Sequence, residues 1–389
     1  MRAVWSIPVR GERLDSSRGD LVRARYLIEA LRAEGHEIHV VEDAARPGAN
    51  ITVSAYRGVV RRALPRRLGL ILRDLGRCLH ARAHGRRVAH EARVRRAEVI
   101  FETQVNFADS GALASRLTGL PLVLDDCGLS SEEVVLGAGL PSLARRVHRR
   151  QTRAASVVVT VSDELRRLLA EEEEVAPEKL RVVPNGVDPA AFESADRQAT
   201  RARLGLGGEV VFGFVGSFQP WHQVELLVEA FAEVAGELPT HLLLVGDGPG
   251  LEAALAAGRR LGVGAYVTAT GAVPPPEVPA LISSFDVGVM PASNDYGNPM
   301  KLMEYAAAGV ASVAPDLPPI REVIRDGSTG LLFPPGDAGA LRAALRRLGT
   351  DAALRASLGE RARREVAAHA SWAGRARSLA SFVTPAHGV

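Results

Sequence analysis

Short runs of apolar and β-branched residues alternate along the chain with stretches in which apolar residues return every three or four positions. In the first half the runs Ala3–Ile7, Glu37–Val41, Val99–Glu102, Leu122–Asp125 and Val157–Val161 predict strands. Between the first two, Asp20–Ala33 carries Leu21, Ala24, Leu27, Ile28 and Leu31 on one stripe, the period of an amphipathic helix. At Val182-Val183-Pro184-Asn185-Gly186-Val187-Asp188 the pattern breaks into a turn, and the polar stretch through Arg203 reads as an interdomain linker. The alternation then restarts. Strands are predicted at Val210–Val215, His241–Val245, Ala265–Ala269, Val287–Met290 and Ala311–Ala314. Helices are predicted near 224–235, 250–261, 276–283, 299–308 and 318–325, with a long helical tail over 338–384. This is the α/β pattern of parallel sheets with crossover helices, written twice, and such sheets bind ligands at the carboxyl ends of their strands.

A length of 389 residues fits two domains of this kind. With 47% hydrophobic and 24% charged residues the composition is that of a soluble globular protein. No apolar run approaches the roughly 20 residues needed to cross a bilayer. Two cysteines, Cys78 and Cys127, are too few for a disulfide framework, so a cytoplasmic location is expected. They sit in no metal-ligand pattern, and no metal or cofactor is expected.

The net charge of +3 is unevenly spread. Between Arg57 and Arg96 arginine recurs throughout, whereas Asp74 and Glu91 are the only acids. Leu68, Leu72, Leu75 and Leu79 repeat there at helical spacing. Two readings stand open: a core-packed helix with a solvated basic face, or a surface that meets anionic lipid or an anionic acceptor. No basic-aromatic interleaving points to nucleic acid. Nearly every basic residue is arginine, the only lysines being Lys179 and Lys301.

Three strand-to-loop junctions in the second half have the composition of a phosphate site. Gly213-Phe214-Val215-Gly216-Ser217-Phe218-Gln219-Pro220-Trp221-His222 is the first and Val245-Gly246-Asp247-Gly248-Pro249 the second. Glycine after a strand lets backbone approach a ligand, and the helix start that follows offers unpaired N–H groups. The third, Tyr296-Gly297-Asn298-Pro299-Met300-Lys301-Leu302-Met303-Glu304, opens a helix that Gly309 closes. Lys301 falls in its first turn, where the dipole disfavours a cation unless an anion binds there too. Glu304 lies on the same face, placed to accept hydrogen bonds from vicinal hydroxyls.

Taken in order, Pro184–Asp188, the Gly216 loop, Leu243–Pro249, the Lys301–Glu304 helix and Gly327-Ser328-Thr329-Gly330-Leu331-Leu332 resemble the family 4 retaining glycosyltransferases of the GT-B fold. In the first half Gly35–Ile38, Gly119–Asp125 and Val159–Ser162 carry the resemblance. It implies two Rossmann-like domains with parallel sheets facing a central cleft: 1–187 for the acceptor, 188–365 for a nucleoside diphosphate sugar, and 366–389 returning to the first domain. It implies also a metal-independent, retaining transfer, with a UDP-sugar favoured as donor.

On this resemblance Glu304 binds the ribose and backbone at Ala272 and Val273 meets the base. Gly19, Gly216, Ser217, His222, Gly246, Asp247, Gly248, Tyr296, Gly297, Asn298, Pro299, Met300 and Lys301 complete the donor site. Lys301 and His222 stabilise the leaving diphosphate. Asp125 and Asp126 are the catalytic carboxylates of the first domain, and Arg18 and Glu102 join them around the acceptor. Three departures stand out: Tyr296 replaces the first glutamate of the family's signature pair, and Ser217 and His222 replace its basic pair. The expected function is hexosyl transfer to a hydroxyl or amine of a small molecule, such as a secondary metabolite. A lipid-linked or cell-envelope acceptor at the membrane surface is the alternative, and a degenerate GT-B partner protein is the reading from another class.

Overall fold

The computed structural model describes residues 1–9, 13–15, 18–43, 66–130 and 137–383. Parts of the expected Arg10–Asp20 loop and of the basic 57–96 region therefore lie outside the described residues. The chain divides into two units, Met1–Pro184 with Ala373–Val389, and Asn185–Trp372.

The first unit contains β1 (Arg2–Ile7), α1 (Gly19–Ala33), β2 (Glu37–Glu42), α2 (Arg66–Val94), β3 (Val99–Thr103) and α3 (Ser110–Thr118). It continues with β4 (Leu122–Asp125), α4 (Pro141–Ala154), β5 (Val157–Thr160), α5 (Asp163–Glu171) and β6 (Leu180–Val182). Its described strands form one parallel sheet in the order β2-β1-β3-β4-β5-β6. Trp5 of β1 stacks on Phe101 of β3 with ring centres 5.0 Å apart, and its indole N–H donates to Thr103 Oγ1 at 3.0 Å.

The second unit runs through α6 (Ala190–Glu193), α7 (Arg197–Arg203), β7 (Val210–Val215), α8 (Val224–Ala235), β8 (Thr240–Val245), α9 (Leu251–Arg260) and β9 (Val267–Ala269). There follow α10 (Val278–Ser283), β10 (Val287–Val289), α11 (Met300–Ala307), β11 (Ala311–Pro315), α12 (Pro318–Arg321) and β12 (Leu331–Phe333). The chain closes with α13 (Ala338–Thr350), α14 (Ala352–His369) and α15 (Trp372–Ser381), the last belonging from Ala373 onward to the first unit. There Arg377 pairs with Glu34 at the end of α1, at 2.6 Å. The sheet order is β12-β11-β10-β7-β8-β9, again parallel. Because side chains alternate across a strand, Phe212, Phe214, Leu242 and Leu244 enter one buried cluster. Val211, Leu243 and Val245 enter another with Phe285 and Tyr305. Burial on both faces is what a parallel sheet under crossover helices requires.

Three expectations change. The helical tail is three helices, because Asp351 caps a new start by accepting from Leu354 N–H at 2.8 Å and the chain breaks again at Ala370 and Ser371. The supposed linker to Arg203 belongs to the second unit: Arg197 and Arg201 both pair with Asp286, at 2.7 and 3.2 Å. The leucine stripe of α2 does not pack on the core. Leu68, Leu72, Leu75 and Leu79 are 41%, 51%, 43% and 67% exposed, and the buried line is Asp74, Ala81, His84, Val88 and Ala92. On that inner side a Cβ at Gly85 would lie 2.7 Å from Ser110 O, so α2 and α3 approach at backbone distance. Asp74 is fully buried and accepts the N–H groups of Gly139 and Leu140 at 2.7 and 3.1 Å. The short edge strands β6 and β12 have too few residues for a periodic signal in the sequence.

Candidate functional site

In the second unit, three loops at the carboxyl ends of β7, β8 and β9 are tied together through backbone. Gly216 N–H donates to Val245 O at 3.0 Å, Gly250 N–H to Phe218 O at 2.8 Å, and Gly246 N–H to Gly271 O at 3.1 Å. These approaches demand glycine. A Cβ at Gly246 would sit 2.1 Å from Gly216 O, and one at Gly248 1.8 Å from Ser217 O. Ser217 and Asp247 are exposed, and the Asp247 carboxylate accepts from Gly248 N–H at 2.7 Å. Ala272 is exposed and Val273 half-buried just after β9.

Helix α11 is locked onto this frame. The buried Tyr305 hydroxyl accepts from Val215 N–H at 3.1 Å, and its ring fills the space where a Cβ of Gly288 would be, 2.4 Å away. Gly297 N–H donates to Asn294 Oδ1 at 2.8 Å, Tyr296 is buried, and Pro299 precedes the first helical residue, Met300. Asn298 is committed internally: its Oδ1 accepts from Asn185 N–H at 2.9 Å and its carbonyl from Asn185 Nδ2 at 2.6 Å.

Lys301 Nζ then stands 4.6 Å above the Phe214 ring, 3.3 Å from His222 Nε2, and 3.2 Å from where a Gly216 Cβ would project. His222 Nδ1 accepts from Gln219 N–H at 3.2 Å, which leaves the proton on Nε2. Two donors thus stand side by side, an arrangement that an anion accepting from both would relieve. Burial and the neighbouring Lys301 charge push His222 down to about 3. Burial lowers Lys301 to about 8 despite Glu304, and raises Glu304 to about 7 despite Lys301. The Lys301 charge is held at a burial cost that a bound anion would offset.

The first unit holds the other expected residues at its own strand ends. Arg18 precedes α1, exposed, and pairs with Asp20 at 2.7 Å. Among the described residues a Cβ at Gly19 would meet nothing within 4 Å, so no contact with them explains its glycine. Glu102 is buried, accepting from Ser6 Oγ at 3.0 Å and from Ser110 Oγ and Gly111 N; burial outweighs these donors and raises it to about 7. Asp125 is buried against Arg23, Nε to Oδ1 3.0 Å. Asp126 is buried against His148 Nε2 at 2.7 Å, and Glu173 lies 3.6 Å from the other ring nitrogen. Burial alone would lower His148, but Asp126 and Glu173 overcome it and raise it to about 10. Ser130 continues the network by donating to Glu173.

Sequence reasoning missed Arg23, His148, Glu173, Tyr305 and Asn185. Arg23 follows the apolar stripe of α1 closely enough to be buried with it, and a charged residue at that place was the available signal. The partners of the other four are 20 or more residues away in sequence and left none.

Two family models match the chain: "Glycosyltransferase Family 4" over residues 21–191 and "Glycosyl transferases group 1" over 209–351. A GDP-mannose-dependent alpha-(1-6)-phosphatidylinositol monomannoside mannosyltransferase of Mycolicibacterium smegmatis is 30% identical over 259 residues, 64% of this chain and 67% of that protein. The chain belongs to the family 4 glycosyltransferases. The D-inositol 3-phosphate glycosyltransferase of Geodermatophilus obscurus is 34% identical over 250 residues, 60% of this chain. That match spans about half of the relative, 53% of its length. The GT-B fold is shared with Anabaena Alr3699/HepE, solved with UDP and glucose (TM-score 0.76, 18% identity, 98% and 99% of the two chains). It is shared also with WaaG, a glycosyltransferase involved in lipopolysaccharide biosynthesis (TM-score 0.67, 17% identity, 99% and 100%). Among the described residues of this family 4 chain, no cluster of His, Cys, Asp or Glu is arranged to hold a metal ion.

Proposed function

We propose that this protein transfers a hexosyl group from a nucleoside diphosphate sugar, with retention, and that the donor diphosphate lies at the start of α11. The observation that carries this reading is the convergence of Lys301 Nζ and His222 Nε2, two donors 3.3 Å apart beside the glycine loops. The pyrophosphate accepts from both and from backbone N–H groups at the helix start. Glu304, one turn on, accepts from the ribose hydroxyls. As the C1–O bond to the diphosphate breaks, the donors take up the charge on the leaving oxygen. The acceptor oxygen bonds to C1 on the same face, and its proton passes to the departing phosphate.

UDP is the nucleotide we propose, supported by the UDP held by HepE, with GDP the contrast because the Mycolicibacterium relative is named for GDP-mannose. The proposed acceptor is a hydroxyl of a small polyol, supported by the inositol phosphate in the name of the Geodermatophilus relative. Neither named relative points to a secondary metabolite. A lipid-linked acceptor is the second reading, favoured by the exposed leucines of α2.

We further propose that Asp125 and Asp126 act by holding the end of β4, since Arg23 and His148 occupy them. Lys301→Ala should lower kcat/KM about 10- to 1000-fold, as loss of one charge-stabilising donor does. Calorimetric titration should show UDP binding in the wild type and weakened binding in the variant. Unchanged kinetics in Lys301→Ala would remove the diphosphate from this helix. Absence of any nucleoside diphosphate binding to the wild type would favour a partner protein over an enzyme.

A further inference from the structure

Asn185 is the first residue of the second unit and opens the segment Asn185-Gly186-Val187 that leads to α6. The segment is fixed on two sides. Toward the chain end, Val187 N–H donates to Ala370 O at 2.8 Å, and a Cβ on Gly186 would fall 2.8 Å from the Trp372 ring. Toward α11, Asn185 holds Asn298 twice: its N–H donates to Asn298 Oδ1 at 2.9 Å and its Nδ2 to Asn298 O at 2.6 Å. Both asparagines are buried, and they stand 113 positions apart in the chain.

These bonds decide what the start of α11 offers a ligand. An asparagine side chain readily accepts the N–H two residues on, which here belongs to Met300, the first residue of the helix. Asn298 Oδ1 is spent on Asn185 instead, and α11 carries no side-chain cap at its start. Its first N–H groups are thereby left for an external acceptor. The Asn298 carbonyl, held by Asn185 Nδ2, fixes the peptide that enters Pro299, and Lys301 follows two residues later. Gly297 is held as well, its N–H on Asn294 Oδ1 at 2.8 Å. The lead-in to the helix is pinned at two successive residues, one of them from Asn185.

We infer that Asn185 is a positioning residue for the donor site: by holding Asn298 it sets the first turn of α11 and the place of Lys301, and so the affinity for a nucleoside diphosphate. The inference rests on the diphosphate lying at the start of that helix. Asn185 acts through Asn298 and needs no contact with the ligand.

The test is calorimetric titration of the full chain with UDP, in a cycle of wild type, Asn185→Ala, Lys301→Ala and the double variant. Asn185→Ala keeps the backbone bond but removes the side-chain donor from the buried Asn298 carbonyl, and should weaken UDP binding about 10-fold. The double variant should then bind no more than about 3-fold weaker than Lys301→Ala alone, whereas independent losses would multiply. Asn185→Ser, which keeps a hydroxyl donor, should show the same coupling with a loss of about 3-fold, and it stands in should the alanine variant not fold. UDP affinity unchanged in both Asn185 variants overturns the inference, and so do losses that multiply with that of Lys301→Ala. Either result leaves the donor assignment standing as long as Lys301→Ala itself weakens UDP binding. Lys301→Ala binding UDP like the wild type would instead remove the diphosphate from α11, and the inference with it.

Discussion

Gln223 ends the turn that carries His222, and its backbone is left-handed at φ +44° and ψ +48°. A residue with a Cβ pays roughly 1 kcal/mol to sit there, and glycine does not. Gln223→Gly should therefore raise stability by about 0.5–1 kcal/mol, less the extra entropy glycine gains when unfolded. A denaturation midpoint that falls instead would mean the glutamine side chain contributes more than its backbone costs. Phe218, at φ +46°, is strained in the same way on the other side of the turn. Strain of this kind clusters where a loop is shaped for a ligand. Lys301 was legible at this scale because only one other lysine exists in the chain. The proton position on His222 was not, since it depends on the Gln219 N–H that the fold brings to Nδ1.

Among elements, the donor-side loops behave as one piece. Gly248→Ala would drive a methyl to 1.8 Å from Ser217 O, backbone against backbone, so one of the two loops must move. The expected result is a melting temperature lower by several degrees, as for a loss of 1–3 kcal/mol, and UDP binding weakened about 10-fold or more. Normal UDP affinity in that variant would separate these loops from the donor site. The glycines could be read from the sequence as strand-end turns, but not which carbonyl each one faces. Helix α2 shows the converse. Its leucine period was plain in the sequence, yet the side it turns to the protein was decided by Gly85, Gly139 and the buried Asp74.

For the molecule as a whole, the buried charges of the first unit set a pH dependence. His148 is raised from 6.5 to about 10 by its carboxylate partners. Its contribution to stability is complete below its unfolded value and disappears as pH rises through the folded one. His148→Gln should accordingly be less stable than wild type at pH near 7, and the gap should close toward about pH 10. Thermal melts of both proteins across that interval check the sign; a gap that stays constant would mean His148 is neutral in the fold. Arg23 and Asp125 form the companion pair. Cutting it with Arg23→Met should cost about 3–5 kcal/mol, because the carboxylate would remain buried without its partner.

Periodicity determined the two α/β units, the order of their larger elements and the glycine-punctuated strand ends, because side-chain alternation and helical repeat are local properties that each segment states for itself. The Lys301–Glu304 face was local in the same sense, a matter of two residues three positions apart on one helix. Tertiary structure alone decided that His222 faces Lys301 across 79 positions, that Asp125 and Asp126 are taken by Arg23 and His148, and that four leucines of α2 point to solvent. Those outcomes depend on which distant groups share a buried volume, where charge and packing are settled jointly and no single stretch of sequence holds both partners.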